Sequence, residues 1–335
     1  MRAAIVLTVV AGALLGPATP AFAHGGEAPD ATAYRTTVTG ISPAEPGLRV
    51  RAVEGGARLE LTNDTGRTVE VLGYAGEPYL EVRPDGTYEN VHSPAAYLNR
   101  TLAGDTPVPA TADPAAPPQW RRVAGEPEIR WHDQRARWTG DDLPPAAQAE
   151  PDRRHRLRDW TVPLREQTRT LEIRGTLDYL PPPPAWAWWA GALLLAGAVT
   201  AAALRWPVTV AVAGPVAGAL LAAYGVLRAI DSGISAVLFG TAAVAVAAGI
   251  WRTPFVTALA GAVLAIFGGF ADLGVFAAAV APVAGPSWLA RVAVLVAIGA
   301  GVAMAANGVL RLRDMAVPSP APGPPDGAED PKPAG

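Results

Sequence analysis

Between residues 186 and 313 the chain holds no glutamate, no lysine and no histidine, and consists almost wholly of Ala, Val, Leu, Ile and Gly. A bilayer's hydrocarbon core, roughly 30 Å thick, takes about 20 apolar residues in helix to cross. Backbone polar groups inside it must be satisfied within the segment, which favours helices. Apolar runs at 186–204, 208–227, 234–251, 255–270 and 288–310 therefore predict an all-α transmembrane bundle of five helices. Composition agrees, since 335 residues that are 50% hydrophobic and 17% charged are too apolar for an ordinary soluble chain.

Residues 273–285 are apolar but too short to cross, and Pro282, Gly285 and Pro286 close them off. They are expected to form an interfacial or re-entrant segment at the outer face. Arg205, Arg252, Arg311 and Arg313 at one set of span ends, against Arg228 and Arg291 at the other, put the C-terminus in the cytoplasm. No ionisable residue falls mid-span, which disfavours a proton- or ion-coupled transporter. Charge gathers instead at the outer mouth, as Arg228, Asp231, Asp272 and Arg291. Arg228 and Asp231, spaced i, i+3, are placed to pair on one helix face. Either these charges set the depth of the helices, or they form a docking or metal-relay site beneath an exported domain. Gly214-x-x-x-Gly218 predicts close helix packing.

The chain opens with Met1-Arg2, an apolar stretch from Ala3 to Leu15, a Gly16-Pro17 break and Ala21-Phe22-Ala23. That pattern reads as a secretory signal peptide over 1–23. Cleavage after Ala23 would make His24 the first mature residue, and its α-amine and imidazole together can chelate a metal ion. Nitrogen ligands of this kind suit Cu(II). Cysteine is absent, so disulfides, thiolate ligands and thiol catalysis are excluded.

Residues 24–180 read as an all-β extracytoplasmic domain, an antiparallel Ig-like sandwich. Alternating segments begin at Leu48, Ala57, Val69, Leu80, Tyr88, Trp160 and Leu171, with turns at Asn63-Asp-Thr-Gly66 and Pro84-Asp85-Gly86. Further candidate ligands are Glu89 with His92, and His132 with Asp133 beside Trp131. A strand through that second pair would put His132 and Asp133 on opposite faces, and the simpler reading is a core tryptophan with a solvated ion pair. His155, among Arg153, Arg154 and Arg156, reads as a basic surface patch. Pro181–Pro184, within a spacer at 181–185, predicts a stiff rod lifting the domain off the membrane, and 314–335 a disordered tail.

At His24, and in the plan of a small exported β domain, the chain resembles copper-binding proteins of the CopC and YcnI types. That resemblance implies copper as the ligand. The Asp-x-His pair that completes a CopC-type site is absent from this sequence. As a whole plan the chain resembles a group of actinobacterial envelope proteins, a likeness that implies no activity. Two functions follow as expectations: Cu(II) handling through His24, or a membrane-anchored interaction or assembly module with no metal, docking another envelope protein. No nucleophile–base pair, phosphate loop or HExxH is present, so no enzyme is expected. A net charge of −3 argues against nucleic acid, leaving the lipid bilayer as the expected surrounding.

Overall fold

The computed structural model describes residues 29–316. The expected signal peptide, His24 and the tail past Ala316 lie outside that range. Ten strands come first: β1 (Tyr34–Ser42), β2 (Leu48–Val53), β3 (Arg58–Asn63), β4 (Val69–Leu72), β5 (Pro78–Arg83), β6 (Gly86–Asn90), β7 (Trp120–Ala124), β8 (Glu128–Trp131), β9 (His155–Glu166) and β10 (Arg169–Tyr179). All pairings between them are antiparallel. One sheet of seven runs β1-β10-β9-β4-β5-β6-β7, and one of three runs β2-β3-β8. This seven-to-three division is more unequal than the four-to-three split of an immunoglobulin constant-type sandwich. The inequality arises because the long β9–β10 hairpin joins β1 to the β4–β7 meander in one continuous sheet.

Period-two alternation explains the core. In β9 and β10, Leu164 faces Leu171 and Val162 faces Ile173 across the ladder, and all four are fully buried. Trp160 faces Gly175, where a Cβ would lie 2.1 Å from the indole, so glycine is what lets that ring lie across the neighbouring strand. Leu59 and Leu61 from β3 and Trp131 from β8 close the core from the small sheet.

The helical part contains α1 (Ala185–Arg205), α2 (Val208–Ser232), α3 (Ala236–Ile250), α4 (Pro254–Gly268) and α5 (Ser287–Ala316). Four helices are long and apolar enough to cross a membrane: α1, α2, α4 with its continuation to Asp272, and α5. The fifth, α3, has 15 residues, or about 22 Å of helix. It is shorter than the apolar run because Gly233, at φ +83°, ends α2, and Ser235 caps α3 by accepting from the Leu238 amide. Helix α5 is the most buried of the four long helices and α1 the least.

Small residues set the helix spacing. A Cβ on Gly301 would stand 2.6 Å from the Ala265 amide nitrogen, and one on Gly261 2.4 Å from that of Ala305. Helices α4 and α5 thus meet backbone to backbone. The expected Gly214/Gly218 contact is present as well, pressed against the carbonyls of Ala245 and Ala242 in α3.

The tetraproline does not hold the sheet domain away from the bundle. Leu180, just before it, donates to the Ala33 carbonyl. Beyond that bond, Thr32 forms an isolated antiparallel bridge with Val280 in the segment between α4 and α5. The two parts are in direct contact because the domain's first described residues are themselves part of the docking surface.

Candidate functional site

The junction between the sheet domain and the bundle gathers three carboxylates and three guanidiniums. It begins with the tip of the β2–β3 hairpin. Glu54, Gly55 and Gly56 all have positive φ, at +56°, +68° and +96°. Two glycines adopt this conformation freely, whereas a glutamate there is strained. Gly55 also permits close approach, since a Cβ on it would stand 3.3 Å from the Pro282 Cα. The tight tip therefore presses on the α4–α5 connection. It also buries the Glu54 side chain, which accepts from Arg58 at 3.1 Å. Burial pushes the Glu54 carboxyl above its usual range, against the pull of Arg58 and Arg130 and with a further push from Asp231.

Beside the tip, β2 and β8 send two guanidiniums to the end of α2. Arg51 contacts the Asp231 carboxylate at 3.1 Å, and Arg130 donates to the Asp231 backbone carbonyl. A carboxylate and a free carbonyl at a helix C-terminus both carry negative charge, so two cations there offset the helix dipole. Glu60 braces the pair, accepting from Arg51 and, at 2.6 Å, from Arg130. Burial alone would raise the Glu60 carboxyl, but hydrogen bonding from Arg51 and the charge of Arg130 outweigh it and hold the group below its usual value. Glu54, Glu60 and Asp231 are thus balanced by Arg51, Arg58 and Arg130.

The four charges expected at the outer mouth do not form one ring. Arg228 pairs with Asp272 at 2.8 Å, and the buried Tyr224 hydroxyl donates to the same carboxylate at 3.1 Å. Asp231 turns instead to the sheet domain, so the expected Arg228–Asp231 pair gives way to two separate contacts. The reason lies in position: Arg228 lies one turn inside the bundle, while Asp231 sits at the helix end under Arg51. Arg291 donates to the carbonyls of Val275, Ala278 and Ala279 at 2.8–2.9 Å. These are the open carbonyls at and after the short Gly274–Ala277 helix, which Arg291 satisfies in place of water. Ala284 donates to the Leu227 carbonyl, so residues 278–286 are fastened to α2 as well.

Each candidate metal ligand within the described residues is engaged by protein. His132 is buried, with Nδ1 on the Ala57 carbonyl at 2.8 Å and Nε2 accepting from Arg58 at 3.2 Å. These contacts assign the neutral ring with its proton on Nδ1. Burial first, then the charges of Arg58 and Arg137, lower its pKa to about 4, against the Ala57 hydrogen bond. Strand β8 ends at Trp131, and Asp133 caps the following turn. The Asp133 carboxylate accepts from the Trp131 indole at 3.0 Å and from the Arg135 guanidinium at 2.8 Å. Glu89 pairs with Arg121, and His92 holds the Pro117 carbonyl at 2.8 Å. His155 contacts the Glu150 carbonyl and stacks on Tyr179. No group of three or more His, Asp or Glu able to hold a metal occurs among the described residues. His24 is outside them.

Reading the sequence singled out Asp231 but missed Arg51, Glu54, Glu60 and Arg130. The only signal at the hairpin tip was the Glu-Gly-Gly tripeptide, which reads as an ordinary turn. The arrangement defines a class in structural terms only, an antiparallel sheet domain docked through an ion-pair network onto a set of apolar helices. The chain matches no protein-family model, no curated protein and no solved structure.

Proposed function

We propose that the chain is an integral membrane protein of the cell envelope that serves as a membrane-anchored interaction module. In this reading the sheet domain stands outside, all five helices including α3 cross the bilayer, and the C-terminus is cytoplasmic. The observation that carries it is the hold of Arg51 and Arg130 on Asp231. It commits a charge of the bundle to docking the domain. Arg228, Asp272 and Arg291 likewise have protein partners, which favours a fixed platform over a conduit. The surface offered is β7, the end strand of the large sheet, which among the described residues has a neighbour on one side only. An unpaired strand edge accepts another chain's strand through backbone hydrogen bonds.

Two experiments test this in cells. The chain has no cysteine, so a Thr32→Cys/Val280→Cys pair reports the junction without background. Residues that exchange both backbone hydrogen bonds stand about 5.5 Å apart at Cα, within disulfide reach. Full-length protein in membranes should cross-link spontaneously, and Ile234→Cys, but not Met315→Cys, should react with an impermeant maleimide. Absence of the disulfide together with labelling at Met315 would remove the architecture. A photo-reactive group at Arg122 in β7 should give a discrete adduct that Val123→Pro abolishes, and an adduct unaffected by the proline would count against the edge.

Copper capture by His24 is the second reading. The Thr32–Val280 bridge favours it by anchoring the chain shortly after His24 at the end of the bundle that meets the sheet domain. Full-length protein beginning at His24 should bind Cu(II) one to one, and a version with one extra leading residue should not. Equal binding by both, or by neither, would end this reading.

A further inference from the structure

At the end of the bundle opposite the sheet domain, the first turns of α2 and α4 and the last turns of α3 and α5 enclose a small pocket of about 20 Å³. Its polar lining is Arg252, Thr257, Asn307 and Arg311, without a carboxylate. Asn307 is 2% exposed, and its Nδ2 has no hydrogen-bond partner among the described residues. A buried amide donor left unpaired is costly, and in native proteins such a group calls for an explanation.

The neighbouring guanidiniums are lightly engaged. Arg252 donates to the Gly249 carbonyl at 3.2 Å and Arg311 to that of Ala203 at 3.5 Å. Each guanidinium carries five N–H donors. The N-terminus of α4, capped by Thr253 with Pro254 in its first turn, also opens here, adding the positive end of a 15-residue helix. Donors and positive charge converge, and what they lack is an acceptor.

We propose that this pocket binds a phosphate group. A cavity of this size is slightly more than one water needs, about 10–15 Å³, so it receives the leading oxygen of an oxyanion, with the phosphorus at its mouth, and excludes a base or sugar. Arg252 and Arg311 bracket the oxyanion, Asn307 donates to it from within, and the remainder of the molecule stays outside. Two sources supply this chemistry, the headgroup of an anionic phospholipid and free phosphate. The lipid source rests on the membrane reading above, and the free-phosphate source does not.

The test uses full-length protein in detergent, with thermal unfolding and native mass spectrometry as readouts. Inorganic phosphate, phosphatidylglycerol and, as the neutral comparison, phosphatidylcholine are titrated separately. Retained adducts and a rise in Tm with phosphatidylglycerol alone identify the lipid source, and the same with phosphate identifies the free anion. Arg311→Gln and Asn307→Asp should each weaken binding at least tenfold, the second at nearly constant volume. Arg313→Gln, two residues past Arg311, on the other side of the helix and outside the pocket's lining, should not. Binding that all four proteins share, or that phosphatidylcholine matches, would overturn the proposal. So would an Asn307→Leu variant that is stabilised yet binds both phosphates as before, because the pocket would then be a water site. The cysteine cross-link reports the membrane architecture independently, so failure here is separable from failure there.

Discussion

The sheet domain and the bundle are built on opposite packing rules. In the domain, large side chains such as Leu59, Leu164, Ile173 and Trp160 fill the space between sheets. In the bundle large side chains such as Leu264, Phe276 and Met304 are buried too, but many of the helix contacts are made by Ala and Gly, and at Gly261 and Gly301 two backbones nearly touch. Water drives the first arrangement, since burying large apolar groups is favourable there. In the bilayer proposed for the bundle, lipid would remove that drive, and close approach through small residues would take its place. Hence loss of volume should be the characteristic injury of the domain, and gain of volume that of the bundle.

The largest effect should follow from Gly301→Leu. Overpacking typically costs about 1–3 kcal/mol and occasionally more, and because backbone atoms of α4 occupy the space here, no neighbouring rotamer can yield and the cost should lie beyond that range. Full-length protein should fail to give a monodisperse, cooperatively melting species in detergent. A melt within about 2 °C of wild type, on the order of 1 kcal/mol or less, would break the comparison on the bundle side.

Next comes Leu164→Ala, which opens a cavity between the two sheets and should cost about 2–5 kcal/mol. The melting transition of the domain should fall, while the Thr32→Cys/Val280→Cys cross-link still forms below it. If Leu164→Ala left stability unchanged, the domain would not depend on side-chain volume as described.

The smallest effect is a pH dependence that sharpens the contrast in how the two parts hold polar groups. His132 titrates near 4 in the folded chain, below its ordinary 6.5. Between those values the unfolded chain binds the extra proton, so this contribution is full above pH 6.5 and is lost as pH falls toward 4. Its ceiling is about 3 kcal/mol. Glu54 acts in the opposite sense. Its raised carboxyl contributes stability when protonated, and that contribution is lost as pH rises through its folded-state value. The fall in Tm from about pH 7 to about pH 5 should therefore be smaller in His132→Gln than in wild type. An identical fall in both would show that His132 is not the group responsible.

Much of the domain was legible in advance. The alternation in Leu48–Val53, Val69–Leu72 and Leu171–Leu177 is a local property, and each became a strand. The division into two unequal sheets was not legible, because nothing local tells β9 to join β4. Among the site residues, the distance between Asp231 and Arg51 in the chain hid their contact, and Arg228 chose Asp272 over a neighbour three residues away. His132 and Asp133 looked like candidate ligands because composition cannot reveal that Ala57, Arg58 and Arg135 engage them.

By itself the sequence determined the period of each element and the apolar length of the helices, since both follow from side chains a few residues apart. It also marked, through Gly214 and Gly218, one place where helices approach closely. Tertiary structure alone decided which charge meets which, and with it the seating of the sheet domain on the bundle. Ion pairs form between whichever groups the fold brings within a few ångströms, and that proximity belongs to the packed chain as a whole.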